Sequence, residues 1–190
     1  MMYVIQVETG QEAVTIKLIE EIFRMGNEGA LIEEVFFPQR ERTMKYEGSW
    51  KKVTEKLFPG YLFLKTSHME EARILLRRVP RLTKLLGVDE DAIYPLSKEE
   101  IDLIYSLCGK EHLAQISDIE IKEGNKVNIL SGPLKNLEGK IVKINLHKRV
   151  ALVRVRFMKN DVTSTWESRF WGKKKKKNRK INGECSQKNG

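Results

Sequence analysis

The chain opens on a short β-branched and aromatic run, Tyr3 to Val7, which predicts a strand. The apolar period then lengthens. From Gln11 to Met25, Val14, Leu18, Ile22 and Met25 fall on one helical stripe, with Ile19 and Phe23 beside it. Strands are predicted again at Glu34–Pro38 and Gly60–Thr66, with Pro38 and Pro59 at strand ends because proline has no N–H to give a ladder. Between them, Gln39–Lys56 is polar and rich in Arg, Lys and Glu, as expected of a hairpin or mobile loop projecting from the sheet. Met69–Arg78 predicts a second helix with Ala72, Leu75, Leu76 and Val79 on its buried side, stopped by Pro80. A short strand is expected near Ala92–Tyr94. Ser97 and Glu100 then have capping-box spacing and start a third helix reaching about Leu107.

This order predicts an α+β fold: an N-terminal antiparallel sheet with helices packed on one face, over residues 1–107. Residues 108–122 hold no sustained period and are expected to be a linker. From Glu123 the pattern becomes KVNIL, KIVKINL and VALVRVRFM, short alternating strands between turns, which predicts a small C-terminal β-barrel over 123–163.

Composition narrows the function classes. With 41% hydrophobic and 32% charged residues the chain has enough apolar material for a core. No run approaches the ~20 apolar residues of a membrane span, and no secretory leader is recognisable, so a cytoplasmic protein without a membrane partner is expected. Net charge is +9, which favours polyanionic partners through counterion release, although much of the excess lies in Lys173–Lys177, Arg179 and Lys180. Cys108 and Cys185 are too far apart and too few to suggest a disulfide framework or a zinc site, and His68, His112 and His147 are scattered. Neither a phosphate-binding glycine loop nor a nucleophile–base arrangement occurs; no cofactor, metal or enzymatic activity is expected.

The most informative segment is Gly132-Pro133-Leu134-Lys135-Asn136-Leu137-Glu138-Gly139, expected to be a hairpin-like connection with Lys135 at its exposed tip. Together with GNKV before it and GKIVKI after it, it resembles a KOW motif, found in NusG proteins and in several ribosomal proteins. Met2-Tyr3-Val4-Ile5 with Thr9-Gly10-Gln11-Glu12 is similar to the opening of NusG N-terminal domains, with Met2 where the family usually has Trp. Leu57-Phe58-Pro59-Gly60-Tyr61-Leu62-Phe63 is similar to that family's most recognisable string. Val79–Gly87, Gly109–His112 and Lys143–Arg149 look like the LoaP-type antiterminators within it.

The resemblance implies a transcription elongation factor that docks on the helical clamp of RNA polymerase's largest subunit through Tyr3, Phe58, Pro59, Gly60, Tyr61 and Phe63. Alternation puts Tyr61 and Phe63 on one sheet face and Leu62 and Leu64 on the other. Either the helices cover the leucine face and leave the rings free, or the rings fill the core. On the arm, Arg40, Arg42, Lys45, Trp50, Lys51 and Lys52 suit unpaired bases or backbone, and the family's equivalent loop approaches upstream DNA or the polymerase. On the barrel, Lys135, Lys140, Lys143, His147, Lys148, Arg149 and Arg154 are candidates for nascent RNA, including a hairpin. In KIVKI, strict alternation puts Lys143 with Ile141 and the remaining residues on the opposite face. In the family the barrel also touches a ribosomal protein or a termination factor. Antitermination is the leading reading; a general pausing or termination factor and a ribosome-associated RNA-binding protein are the alternatives.

After about Thr163 the chain departs from the family. Ser164-Thr165-Trp166-Glu167-Ser168-Arg169-Phe170-Trp171-Gly172 stands where members carry a closing strand resembling "V-x-L-G-I-E-I-L". Reading Thr165 to Gly172 one frame over restores Leu-Gly-Ile-like codons for most codon choices. The expectation is therefore a single-nucleotide frameshift, a missing closing strand, and a basic disordered tail over 164–190.

Overall fold

A computed structural model describes residues 1–25, 31–88, 93–121, 127–145, 150–157 and 160–171. The fold is α+β. Strand β1 (Met2–Val7) lies between β5 (Tyr61–Lys65) and β6 (Leu82–Leu85), and β2 (Glu34–Phe36) pairs with the outer edge of β5, giving the order β2-β5-β1-β6. Both faces of this sheet are covered, because its strands are apolar on both sides. Tyr3, Ile5, Val7, Leu62 and Leu64 point to α1 (Glu12–Met25) and α2 (Met69–Leu76), where Ile19, Phe23, Ala72, Leu75 and Leu76 meet them. Met2, Val4 and Phe63 point the other way, joining Ile104, Leu107 and Cys108 of α3 (Lys98–Cys108). The helices are thus split between two faces, not gathered on one. The capping box is present as expected: Ser97 Oγ accepts from Glu100 N–H, and Glu100 Oε2 accepts from Ser97 N–H at 2.8 Å.

Several elements differ from those the sequence predicts. The buried line of α1 is Glu12, Thr15, Ile19 and Phe23, so the stripe is rotated from the expected one and Val14 and Met25 stand exposed. The edge strand beside β1 is Leu82–Leu85, while Ile93 makes only an isolated bridge to Val88. In the expected linker, β7 (Leu113–Ala114) and β8 (Ser117–Ile121) form strands. The hairpin-like connection is instead a 3-10 helix, Pro133–Lys140, that buries Leu134 and Leu137 and leaves Lys135 exposed.

The arm is a regular ribbon. Strands β3 (Gln39–Tyr46) and β4 (Ser49–Lys56) pair from Gln39↔Lys56 to Tyr46↔Ser49, and β7 adds in parallel at Gln39 and Arg40. The turn is Glu47-Gly48, with φ of 48° and 82°; two consecutive positive values are those of a two-residue turn whose twist matches the strands.

The C-terminal unit is a curled sheet in the order β10-β11-β12-β8-β9, with β9 (Val127–Ser131), β10 (Ile141–Asn145), β11 (Val150–Phe157) and β12 (Asn160–Trp171). The expected loss of the closing strand is corrected here. β12 runs antiparallel to β11 as far as Glu167, then parallel to β8 from Ser168. Val162, Ser164, Trp166 and Ser168 alternate into the interior, so residues up to Trp171 complete the sheet despite their unfamiliar sequence. Residues 172–190 of the expected tail lie outside the described residues. At Gly132, φ is 89° and a Cβ would lie 2.7 Å from Ser117 Cα; Ser117 Oγ also accepts from Leu134 N–H at 3.0 Å. Glycine there lets the 3-10 helix close down on β8.

Candidate functional site

The aromatic string sits where β4 turns into β5. Leu57 and Phe58 are buried at 0% and 1% exposure, and Gly60, with φ 84°, donates its N–H to Glu12 Oε1 at 2.7 Å. Glu12 is fully buried at the start of α1, and its other oxygen meets Lys56 Nζ. Burial works to raise its pKa, but the Lys56 ammonium and the Gly60 amide outweigh that and hold the carboxyl below the usual range. One carboxylate therefore ties the first turn of α1 to the Phe58–Tyr61 turn. The period-3.6 pattern could not announce it, because the sequence shows only an acid at a helix start.

The proposed docking residues do not share one surface. Tyr3 lies on the helix face with Ile5 and Leu62, not with the rings. Phe58 and Phe63 do share a face, with ring centroids 6.4 Å apart, and Phe36 stacks on Phe63 at 5.6 Å. Tyr61 packs half-buried against the same cluster. The leucine face, Leu62 and Leu64, is covered by α1 and α2. The aromatic face, however, is not free. Its apolar cluster continues through α3 to Leu134, Leu137, Val153, Val162 and Trp166 of the barrel. Ser164 Oγ–H donates to the Leu57 carbonyl, Glu167 Oε2 accepts from Thr43 N–H at 2.7 Å, and Asn136 Nδ2 donates to Ser106 O at 3.4 Å. These residues of β12 and the 3-10 helix join the two halves. His112, whose φ is 53°, stacks on Phe36 at 3.5 Å and places Nε2 2.6 Å from Glu34 Oε1, fixing the exit of α3 to the edge of the sheet.

The arm's cations divide. Arg40 and Arg42 both engage Glu55, at 2.8 and 2.5 Å, and Lys52 reaches Glu41 at 3.6 Å. Burial works to raise the pKa of Glu55, but the two guanidiniums lower it on balance. These three cations stiffen the stem, whereas Lys45, Trp50 and Lys51 lie at the tip.

On the barrel, Lys135, Lys140, Lys143 and Arg154 are exposed, and His147, Lys148 and Arg149 lie outside the described residues. The register shifts between Ile141 and Lys143, with Ile141 opposite Val153 and Lys143 opposite Leu152. This bulge breaks the strict alternation expected of KIVKI: Val142 and Lys143 are both exposed, and Ile141 and Ile144 are both half-buried. Lys143 thereby joins Arg154 on the outside. Among the described residues no cluster of His, Cys, Asp and Glu is arranged to hold a metal, and no helix is long and apolar enough to cross a membrane.

Residues 2–105 match the family model described as transcription termination factor NusG, and residues 123–156 match that of the KOW motif. The transcription termination/antitermination protein NusG of Staphylococcus carnosus is 28% identical over 148 residues, covering 77% of this chain and 80% of that protein. The protein of the same name from Vibrio cholerae is 27% identical over 146 residues, with the same coverage of each chain. A solved structure described as domain interaction in Thermotoga maritima NusG shares the fold, with a TM-score of 0.59 at 22% identity over 87% of this chain and 92% of that one.

Proposed function

Because this chain belongs to the NusG family of transcription termination and antitermination proteins, we propose that it binds RNA polymerase with its N-terminal domain and nascent RNA with its barrel, and acts as an antiterminator. The observation that carries the polymerase contact is the aromatic face of Phe36, Phe58, Tyr61 and Phe63, which lies opposite the layer of α1 and α2. Large rings held on a rigid sheet suit the docking of a partner helix. In the arrangement described, α3 and the barrel occupy that face, so docking on the polymerase clamp requires the barrel to move off. Exposed Lys135, Lys140, Lys143 and Arg154 support a phosphate-contacting surface for RNA on the barrel. The LoaP-like strings at Val79–Gly87 and Gly109–His112 support antitermination over general pausing.

Affinity purification from lysate tests the partner, and transcription in vitro on templates with and without an intrinsic terminator tests the direction of the effect. Polymerase is expected in the eluate, with increased read-through on the terminator template. Ribosomal subunits recovered without polymerase would overturn the polymerase reading, and unchanged or reduced read-through would overturn antitermination.

A further inference from the structure

The apolar stripe of α1 that the sequence picks out does not face the sheet. Val14, Leu18, Ile22 and Met25 recur at the spacing of a helix–helix seam, yet α1 meets its own sheet through Thr15, Ile19 and Phe23. Val14 is 47% exposed and Met25 78%, while Leu18 and Ile22 are half-buried. In the same layer α2 leaves Ile74 60% exposed. Single apolar side chains are ordinary on a surface, whereas a row at seam spacing marks a contact. The charges beside the stripe decide which contact. At about 100° per residue, Lys17 and Glu21 fall on one flank of it, and Ile22 lies on the other. Both charged residues are exposed, and neither has an ion-pair partner among the described residues.

We propose that α1 is a self-association surface, on which a second copy of this chain pairs its own α1 antiparallel through Val14, Leu18, Ile22 and Met25. In an antiparallel pair related by a two-fold axis, each flank meets the same flank of the other copy. With the axis near residues 19 and 20, Val14 meets the partner's Met25, Leu18 meets the partner's Ile22, and Lys17 meets the partner's Glu21, each contact occurring twice. A parallel pair would instead set the charged flank against the apolar flank carrying Ile22. The stripe runs for about 16 Å along the helix and buries well under the ~800 Å² per copy of a standard interface. Pairing is therefore weak, with a dissociation constant on the order of tens of micromolar, and follows local concentration. The surface lies across the sheet from the aromatic face and stands whether or not polymerase binds there.

The test is sedimentation equilibrium of the full-length protein from about 5 to about 500 µM. Salt is held at about 0.15 M, where repulsion between two chains of net charge +9 is largely screened. A monomer–dimer equilibrium is expected. Val14→Lys combined with Met25→Lys, both at exposed positions where the fold tolerates a lysine, should raise the dissociation constant at least about tenfold. Lys17→Glu alone sets like charges against the partner's Glu21, and Glu21→Lys alone does so against the partner's Lys17. Each should weaken pairing about threefold, and the two together should return it to within about twofold of the parent. The proposal is overturned if the parent stays monomeric over the whole range, if the Val14/Met25 variant pairs as the parent does, or if the charge exchange fails to restore pairing. It is also overturned if the Val14/Met25 variant, with an unchanged circular dichroism spectrum, loses polymerase, which would make the stripe a contact with that partner instead.

Discussion

Replacing Glu12 with alanine would leave the Gly60 amide buried without its acceptor and deprive Lys56 of its partner. An unsatisfied buried N–H costs about 1–3 kcal/mol. Lys56 is 31% exposed and can turn to water, so the lost ion pair adds about 1 kcal/mol at most. The sum is roughly 1–4 kcal/mol for Glu12→Ala, while Glu12→Gln keeps an acceptor for Gly60 and should cost only about 1 kcal/mol. The sign of the pH dependence follows from the lowered pKa. The ionised carboxylate stabilises the fold fully above its unfolded value near 4.5, and that contribution is lost as pH falls through the folded value. Urea unfolding of parent and both variants between neutral pH and about pH 3 measures this, with the gap between parent and Glu12→Gln closing as the carboxylate protonates. Parent-like stability of Glu12→Ala at neutral pH would refute the assignment of Glu12 as the tie between α1 and the aromatic turn.

Combining Ser164→Ala with Glu167→Gln should loosen the barrel from the N-terminal sheet by about 1 kcal/mol and raise polymerase affinity about fivefold by interferometry; a fall or no change would refute occlusion of the aromatic face. Burial pushes the Cys108 thiol up to about 12, and its Sγ–H donates to Ile104 O at 3.1 Å. In a Cys185→Ser background, alkylation near pH 8 should therefore be far slower than for a free thiol and faster in the Ser164/Glu167 double variant, as read by mass spectrometry. Gly132→Ala sets a Cβ against Ser117 at a positive φ, and should lower the stability of the barrel by about 2–4 kcal/mol in calorimetry.

What was legible in the sequence was whatever a local period or a capping pair encodes. The Ser97–Glu100 box fixes the start of α3 by itself, and the alternation of Val150–Phe157 makes a strand in any barrel. The misses have tertiary causes. Hydrophobicity alone places the α1 stripe through Val14 and Met25, whereas a polar residue, Glu12, lies on the buried line where Gly60 and Lys56 satisfy it. Tyr3 resembles Phe58 and Phe63 in kind, but its neighbour Val4, not Tyr3, lies on their face. The parity that would sort the lysines of KIVKI is cancelled by one bulge between Ile141 and Lys143. The stretch around Trp166 departs from the family's string, yet β12 needs only alternation and volume at Val162, Ser164 and Trp166, and those are present whatever their origin. The covering of the aromatic face was not readable at all, since it depends on contacts such as Thr43 with Glu167, 124 positions apart.

That separation has a consequence for a chain made from its N-terminus. The sheet, α1, α2 and α3 are complete once Cys108 has emerged, while the strand that closes the barrel, β12, ends at Trp171. At translation rates of about 5–20 residues per second, several seconds pass between the two events. Throughout that interval Phe58 and Phe63 have no barrel beside them. Every newly synthesised molecule thus passes through a stage in which only α3 packs on the aromatic face, and whatever binds there in that window meets no competition from the barrel.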